Sequence, residues 1–254
     1  MRRRQLFCAA AASMMSPMPA WAGLADTVAR IKPAVVLVGT YREADSPRFQ
    51  LRGTGFLAGT AHQVVTCSHV LPQVDGAVRD KDLAVQILRP GDEWSLVRAR
   101  LHAVEPRSDL ALLSIDGTGG QPLALGDSSQ VREGDDLAFM GFPIGNMLGY
   151  AHVVHRAMVS SITSALLPSP DAERLKEPAI RALRHGNFPI FQLDGVAYPG
   201  NSGGPLFRPD TGEVVGVMNM VFIKGTREAA LSQPSGIAYA VPSARLRELM
   251  ARAK

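Results

Sequence analysis

The 254-residue sequence predicts an all-β protein. About a dozen short runs rich in β-branched and aliphatic residues recur along the chain. Turn formers separate them, with 24 glycines and 18 prolines in the whole. Helical periodicity appears near the two ends of the mature segment, with one further candidate helix near Glu177–Arg184. Apolar residues make up 46% and charged residues 20%, which excludes disorder. One β-rich domain of this length is ordinary, since such barrels and sandwiches run to ~250 residues.

The elements follow in order. Residues 1–22 read as a secretory signal: Arg2, Arg3 and Arg4, an apolar run from Leu6 to Met15, and Ala20-Trp21-Ala22 as a small-x-small cleavage site. The apolar run is too short to span a bilayer, and no other segment approaches that length. Arg3-Arg4-Gln5-Leu6-Phe7 fits twin-arginine as well as general export. Leu24, Val28 and Ile31 then share one helical face, and Pro33 ends that helix. The candidate strands are Ala34–Tyr41, Gly53–Leu57, Gln63–Thr66, Leu83–Leu88, Leu96–Val104, Leu110–Ile115, Leu137–Gly141, His152–Ile162, Ile190–Leu193, Pro205–Phe207, Val214–Val221 and Gly236–Val241. Gly117–Gln121 and Gly126–Gly134 read as turns. Residues 164–189 read as a surface insertion, because Pro168 to Pro189 alone holds four prolines among many charges. A terminal helix runs from Ala244 to Arg252, with Ser243 as its expected N-cap.

Charge narrows the function classes. The whole chain has 27 basic and 23 acidic residues. Three of the basic residues lie in the leader, leaving 24 against 23, a net +1. That balance argues against a nucleic-acid partner. Cys67 is the sole cysteine after the leader, so no intrachain disulfide is expected there, and burial as a small hydrophobe is. No cofactor motif appears. His152 and His155 have metal-like spacing, but residues three apart on a strand face opposite ways, so no metal site is expected.

Chemistry concentrates in three short motifs. Gly200-Asn201-Ser202-Gly203-Gly204-Pro205 surrounds a serine with glycines, which open backbone conformations closed to other residues. They also allow a carbonyl to approach main-chain amides that could form an oxyanion hole. The hexapeptide matches the nucleophile elbow of α/β-hydrolases, but that fold needs a histidine after the serine. All six histidines precede Ser202. The subtilisin order needs an aspartate before the histidine, and only Asp26 and Asp45 precede His69 in the mature chain, neither in an informative context, which leaves the order His, Asp, Ser. His69 ends the apolar strand Val65-Thr66-Cys67, a setting that His62, His102 and His185 lack. Asp109 opens the apolar run Leu110–Leu113.

Together these segments resemble the trypsin-like serine proteases of the HtrA/DegP family, over nearly the whole mature chain. Ile31–Val36 resembles the family's first strand, and Gly53-Thr54-Gly55-Phe56 the strand before the histidine. Leu123–Ser128 resembles the inter-barrel segment. Phe191–Asp194 and Gly236–Ser243 complete the likeness. The resemblance implies two six-stranded β-barrels, roughly 33–125 and 126–242, within a protease domain over 23–254. It implies His69 as base, Asp109 as orienting acid and Ser202 as nucleophile. Gly200, Asn201 and Ser202 would form the oxyanion loop.

In this fold the residue six before the nucleophile, here Val196, lies at the base of the primary pocket. Val217, Met218 and Asn219 are expected as another wall. An apolar pocket implies cleavage after small or medium aliphatic residues, with broad selectivity. The family usually carries PDZ domains after the protease; this sequence ends at Lys254, so a protease domain alone is expected. Cys67-Ser68 and Tyr198-Pro199 depart from the usual residues at their positions. Relatives often form trimers, although no residue here marks such a contact. The expectation is an exported endopeptidase, periplasmic or secreted, acting on unfolded or misfolded polypeptides. The alternative is a latent or inactive binding or chaperone protein of the same fold.

Overall fold

The computed structural model describes residues 23–74, 77–78, 82–117, 119–145, 149–165, 188–219 and 236–253. The expected leader (1–22) and most of the expected insertion (166–187, with His185) lie outside the described residues, as does Val221.

Continuous apolar runs become strands buried on both faces. In β1 (Val35–Tyr41), Val35 to Val38 are fully buried. It is followed by β2 (Phe49–Leu57), β3 (Gln63–Cys67), the short hairpin β4 (Gln73–Val74) and β5 (Ala77–Val78), β6 (Leu83–Arg89), β7 (Glu93–Glu105) and β8 (Leu110–Ile115). The second half holds β9 (Asp136–Gly141), β10 (Val153–Ser164), β11 (Pro189–Asp194), β12 (Pro205–Phe207), β13 (Val214–Asn219) and β14 (Ile237–Pro242). Strands β1-β2-β3-β8-β7-β6 close one barrel, and β10-β11-β14-β13-β12-β9 close a second. All pairings within the barrels are antiparallel. The predicted all-β architecture of two six-stranded barrels is therefore present. Closure leaves neither barrel an open edge.

The barrels are stitched by the segment between them. Leu123 N–H donates to Leu57 O at 2.8 Å, while Gly126 N–H donates to Val214 O at 2.8 Å. The two terminal helices add further ties. Helix α1 (Leu24–Ile31) sends Thr27 Oγ1 to Asp210 O and an Arg30 guanidinium to Thr211 O, both beyond β12. Helix α2 (Ser243–Arg252) follows the second barrel, yet buries Leu246 and Leu249 in the core cluster dominated by the first.

One expectation is corrected at α2. Ser243 is the first helical residue, and its hydroxyl donates to Gly126 O at 2.7 Å instead of capping. The Ala244 N–H is taken by Ser128 Oγ at 3.0 Å. A hydroxyl from the inter-barrel segment thus does the capping, something local sequence does not reveal. Strand β2 also begins at Phe49, earlier than Gly53, because a bulge at Val38/Gly39 lets it follow β1 to Tyr41. Among the described residues no helix is long and apolar enough to cross a membrane.

Candidate active site

The half of the candidate site that carries His69 and Asp109 is built by the first barrel. Strand β3 runs into a single 3-10 turn, Ser68–Val70, which carries His69. Pairing of β3 with β8 sets Cys67 opposite Leu110, so Asp109 lies beside that turn. Asp109 has φ of +53°, a left-handed conformation that aspartate tolerates better than most residues. Its carboxylate collects four donors. Oδ2 accepts from His69 Nδ1 at 2.5 Å and from Asn219 Nδ2 at 2.8 Å. Oδ1 accepts from the His69 backbone N–H at 2.9 Å and from Ser68 Oγ at 2.5 Å. Burial by itself would raise the Asp109 pKa, but the bonds and charge from His69 and the bond from Ser68 bring it below the ordinary carboxylate value. With Nδ1 on the carboxylate, the network assigns the imidazole proton there and leaves the Nε2 lone pair free.

The half that carries Ser202 belongs to the second barrel. Tyr198-Pro199-Gly200-Asn201 forms a turn closed by Asn201 N–H to Tyr198 O at 3.0 Å. Proline at its second position and a glycine with φ of +107° at its third make it type II. A side chain at Gly200 would sit 2.2 Å from Phe142 O. At Gly203, φ +86°, it would sit 2.1 Å from Thr54 O. Both glycines are therefore required by conformation and by space. Ser202 follows the turn and is 4% exposed. Among the described residues the Gly200 and Ser202 N–H groups donate to no protein group. The Asn201 N–H is spent on the turn, and its fully buried side-chain amide has no partner. No hydrogen bond joins His69 to Ser202 among the described residues.

The structure thus brings His69 and Asp109 into contact and gives Ser202 a glycine-built turn. The pocket expectations fall in different places. Val196 is half-buried on the loop between β11 and the turn. Val217 and Met218 are fully buried, each in a different core cluster. Asn219 is also fully buried, and its amide reaches Asp109. Sequence reading missed this role of Asn219, as well as that of Ser68. Ser68 could have been found from its place directly before His69. Asn219 could not, because 110 residues separate it from Asp109.

Cys67 lies beneath the pair. Its Sγ and the His69 and Asp109 heteroatoms are within 4.8 Å of one another. Burial pushes the thiol pKa up, and Sγ donates to Met218 O at 3.2 Å, so it is held as a neutral thiol, a poor metal ligand. The other described histidines have no carboxylate partner. His62 contacts Gly117 O, His102 contacts Ala253 O, and His155 stacks on Phe139.

The family model of the trypsin-like peptidase domain matches residues 53–217. The chain belongs to the trypsin-like peptidase family. It is 31% identical over 194 residues to a probable periplasmic DegP-like serine endoprotease of Pseudomonas fluorescens, covering 76% of this chain and 33% of that protein. It is 32% identical over 241 residues to the mitochondrial serine protease HTRA2 of Bos taurus, covering 93% of this chain and 44% of that one. The chain thus spans between a third and half the length of these curated relatives. The HtrA-type protease AlgW, solved with a decapeptide, shares the fold with a TM-score of 0.63 at 21% identity. That likeness covers 91% of this chain and 67% of the AlgW chain. The trypsin-like peptidase domain here is accordingly HtrA-like.

Proposed function

We propose that this domain is an exported serine endopeptidase that hydrolyses unfolded or misfolded polypeptides. The observation that carries the reading is the His69–Asp109 contact at 2.5 Å, together with a glycine-built serine turn whose Gly200 and Ser202 amides have no partner among the described residues. In the reaction, Ser202 Oγ attacks the scissile carbonyl while His69 Nε2 takes its proton. Asp109 stays ionised, holds the imidazole and stabilises the imidazolium. The Gly200 and Ser202 N–H groups stabilise the oxyanion of the tetrahedral intermediate. His69 returns the proton to the leaving amine, leaving an acyl-enzyme on Ser202. Water then repeats the sequence and frees the serine. Val196 and the residues around β13 would favour aliphatic side chains at the cleaved bond. Periplasmic delivery by the leader and homotrimer assembly belong to the same proposal.

A second reading is a latent or non-catalytic binding protein. The missing His69–Ser202 hydrogen bond favours it, although such bonds often tighten only with substrate. Labelling of the mature protein by a fluorophosphonate probe separates the two, with Ser202→Ala and His69→Ala as controls. Labelling lost in both variants supports the endopeptidase. No labelling, even with unfolded protein present, supports the binding protein.

A further inference from the structure

The oxyanion turn is built from a sequence that permits two states. Type I and type II turns differ by a flip of the central peptide, and glycine at the third position accepts either. In the state observed, the Pro199 carbonyl points toward Ile144, so the Gly200 N–H points the opposite way, away from Ile144. Ile144 N–H holds that carbonyl at 2.8 Å. Ile144 itself has φ of +49°, a strained conformation for a β-branched residue. Something must keep this strained loop against the turn.

Thr54 of β2 is placed to do so. It is fully buried and belongs to the first barrel, while the turn and Ile144 belong to the second. Its hydroxyl donates to Gly200 O at 2.6 Å and accepts from Phe142 N–H at 3.1 Å. Its backbone N–H donates to Ser202 O at 2.9 Å, and its carbonyl accepts from Thr66 Oγ1 at 2.8 Å. A hydroxyl is both donor and acceptor, so it links the Phe142–Ile144 loop to the turn in one step, which a methyl cannot do.

We propose that Thr54 is a positioning residue whose hydroxyl holds the Gly200 N–H toward the site, joining one barrel to the oxyanion turn of the other. Its catalytic consequence rests on the endopeptidase reading above; its structural part does not. The oxyanion contact strengthens in the transition state, so its loss falls on kcat more than on KM.

The test compares Thr54→Val and Thr54→Ser with the wild-type protein, measuring peptide hydrolysis per folded molecule and amide exchange across residues 199–204. Thr54→Val is expected to lower kcat about 10²-fold, the scale of losing one oxyanion donor, and to speed exchange at Asn201 and Gly204. KM should stay within roughly threefold, and Thr54→Ser should keep both readouts near wild type. If Thr54→Val does not fold, Thr54→Ala takes its place with the same expected order. Unchanged exchange in the valine or alanine variant overturns the proposal, as does a serine variant that behaves like them. If the wild type hydrolyses nothing while exchange still follows the hydroxyl, the endopeptidase reading fails and the positioning role stands.

Discussion

Two histidines border the seam between the barrels, and their surroundings give them opposite characters. His69 keeps a third of its side chain exposed and sits 2.5 Å from the Asp109 carboxylate. His152 stacks on Trp94 of the first barrel, at 5.5 Å between centroids, and packs against Phe142 of the second at 4.5 Å. Its Nε2 meets the neutral Val35 carbonyl at 2.9 Å, and the Lys32 backbone and ammonium also act on the ring. Burial pushes its pKa down to about 4. A carboxylate therefore faces the imidazole at one site, and burial disfavours the charged imidazole at the other. One histidine is held by a carboxylate; the second packs as an aromatic plug between the barrels.

The sharpest way to break this contrast is to remove the base. His69→Ala should lower kcat about 10⁶-fold, as for triads acting as a unit, whereas His152→Phe should keep kcat within about threefold. Steady-state hydrolysis of a denatured protein checks both. A comparable loss in the two variants would erase the distinction.

Asp109→Asn tests what makes His69 different. The amide cannot hold the reactive tautomer, so kcat should fall about 10⁴-fold while the fold persists. Circular dichroism and kinetics on one preparation give both answers.

The next effect is on stability. The folded value of about 4 for His152 lies below its ordinary 6.5, so between these pH values the unfolded chain takes up the proton and the folded chain does not. Stability is complete above about pH 6.5 and declines as pH falls toward 4, by about 3 kcal/mol from this group. His155, also lowered by burial, acts in the same direction. Denaturant unfolding at pH 7 and pH 4.5 should show the decline, and His152→Phe should flatten it.

The smallest expected effects separate two buried asparagines. Asn219 donates to Asp109, while the Asn201 side chain has no hydrogen-bond partner among the described residues. Asn219→Ala should cost about 2 kcal/mol, because it strips a bond to a buried charge. Asn201→Ala should cost under about 1 kcal/mol, the amide having no bond to lose. Equal costs would show that packing, not polar pairing, sets both.

Much of this was legible beforehand, for local reasons. Runs such as Val35–Val38 and Leu110–Leu113 can only be buried strands, because every residue is apolar and glycine or aspartate stands nearby. Helix α2 was visible from its apolar stripe, but its cap was not, since Ser128 arrives from a distant segment. The start of β2 is hidden in the sequence because Arg52 and Gln50 break the apolar pattern; pairing of Phe49–Leu51 with β1 extends the strand, with Arg52 skipped at the bulge. Strand alternation sends Val217 and Met218 into separate cores, a consequence of which barrel face each side chain meets.

The order of chemical groups along the chain, the apolar periodicity and the Pro199-Gly200 turn follow from residue types, since each depends on neighbours a few positions away. The site's working contacts do not. Asp109 with Asn219 is a pair 110 residues apart, and Thr54 with Gly200 a pair 146 apart. Such contacts form only when both barrels close and dock. The same docking strips water from the seam, and that desolvation separates His152 from His69 and makes the carboxylate of Asp109 worth its four donors.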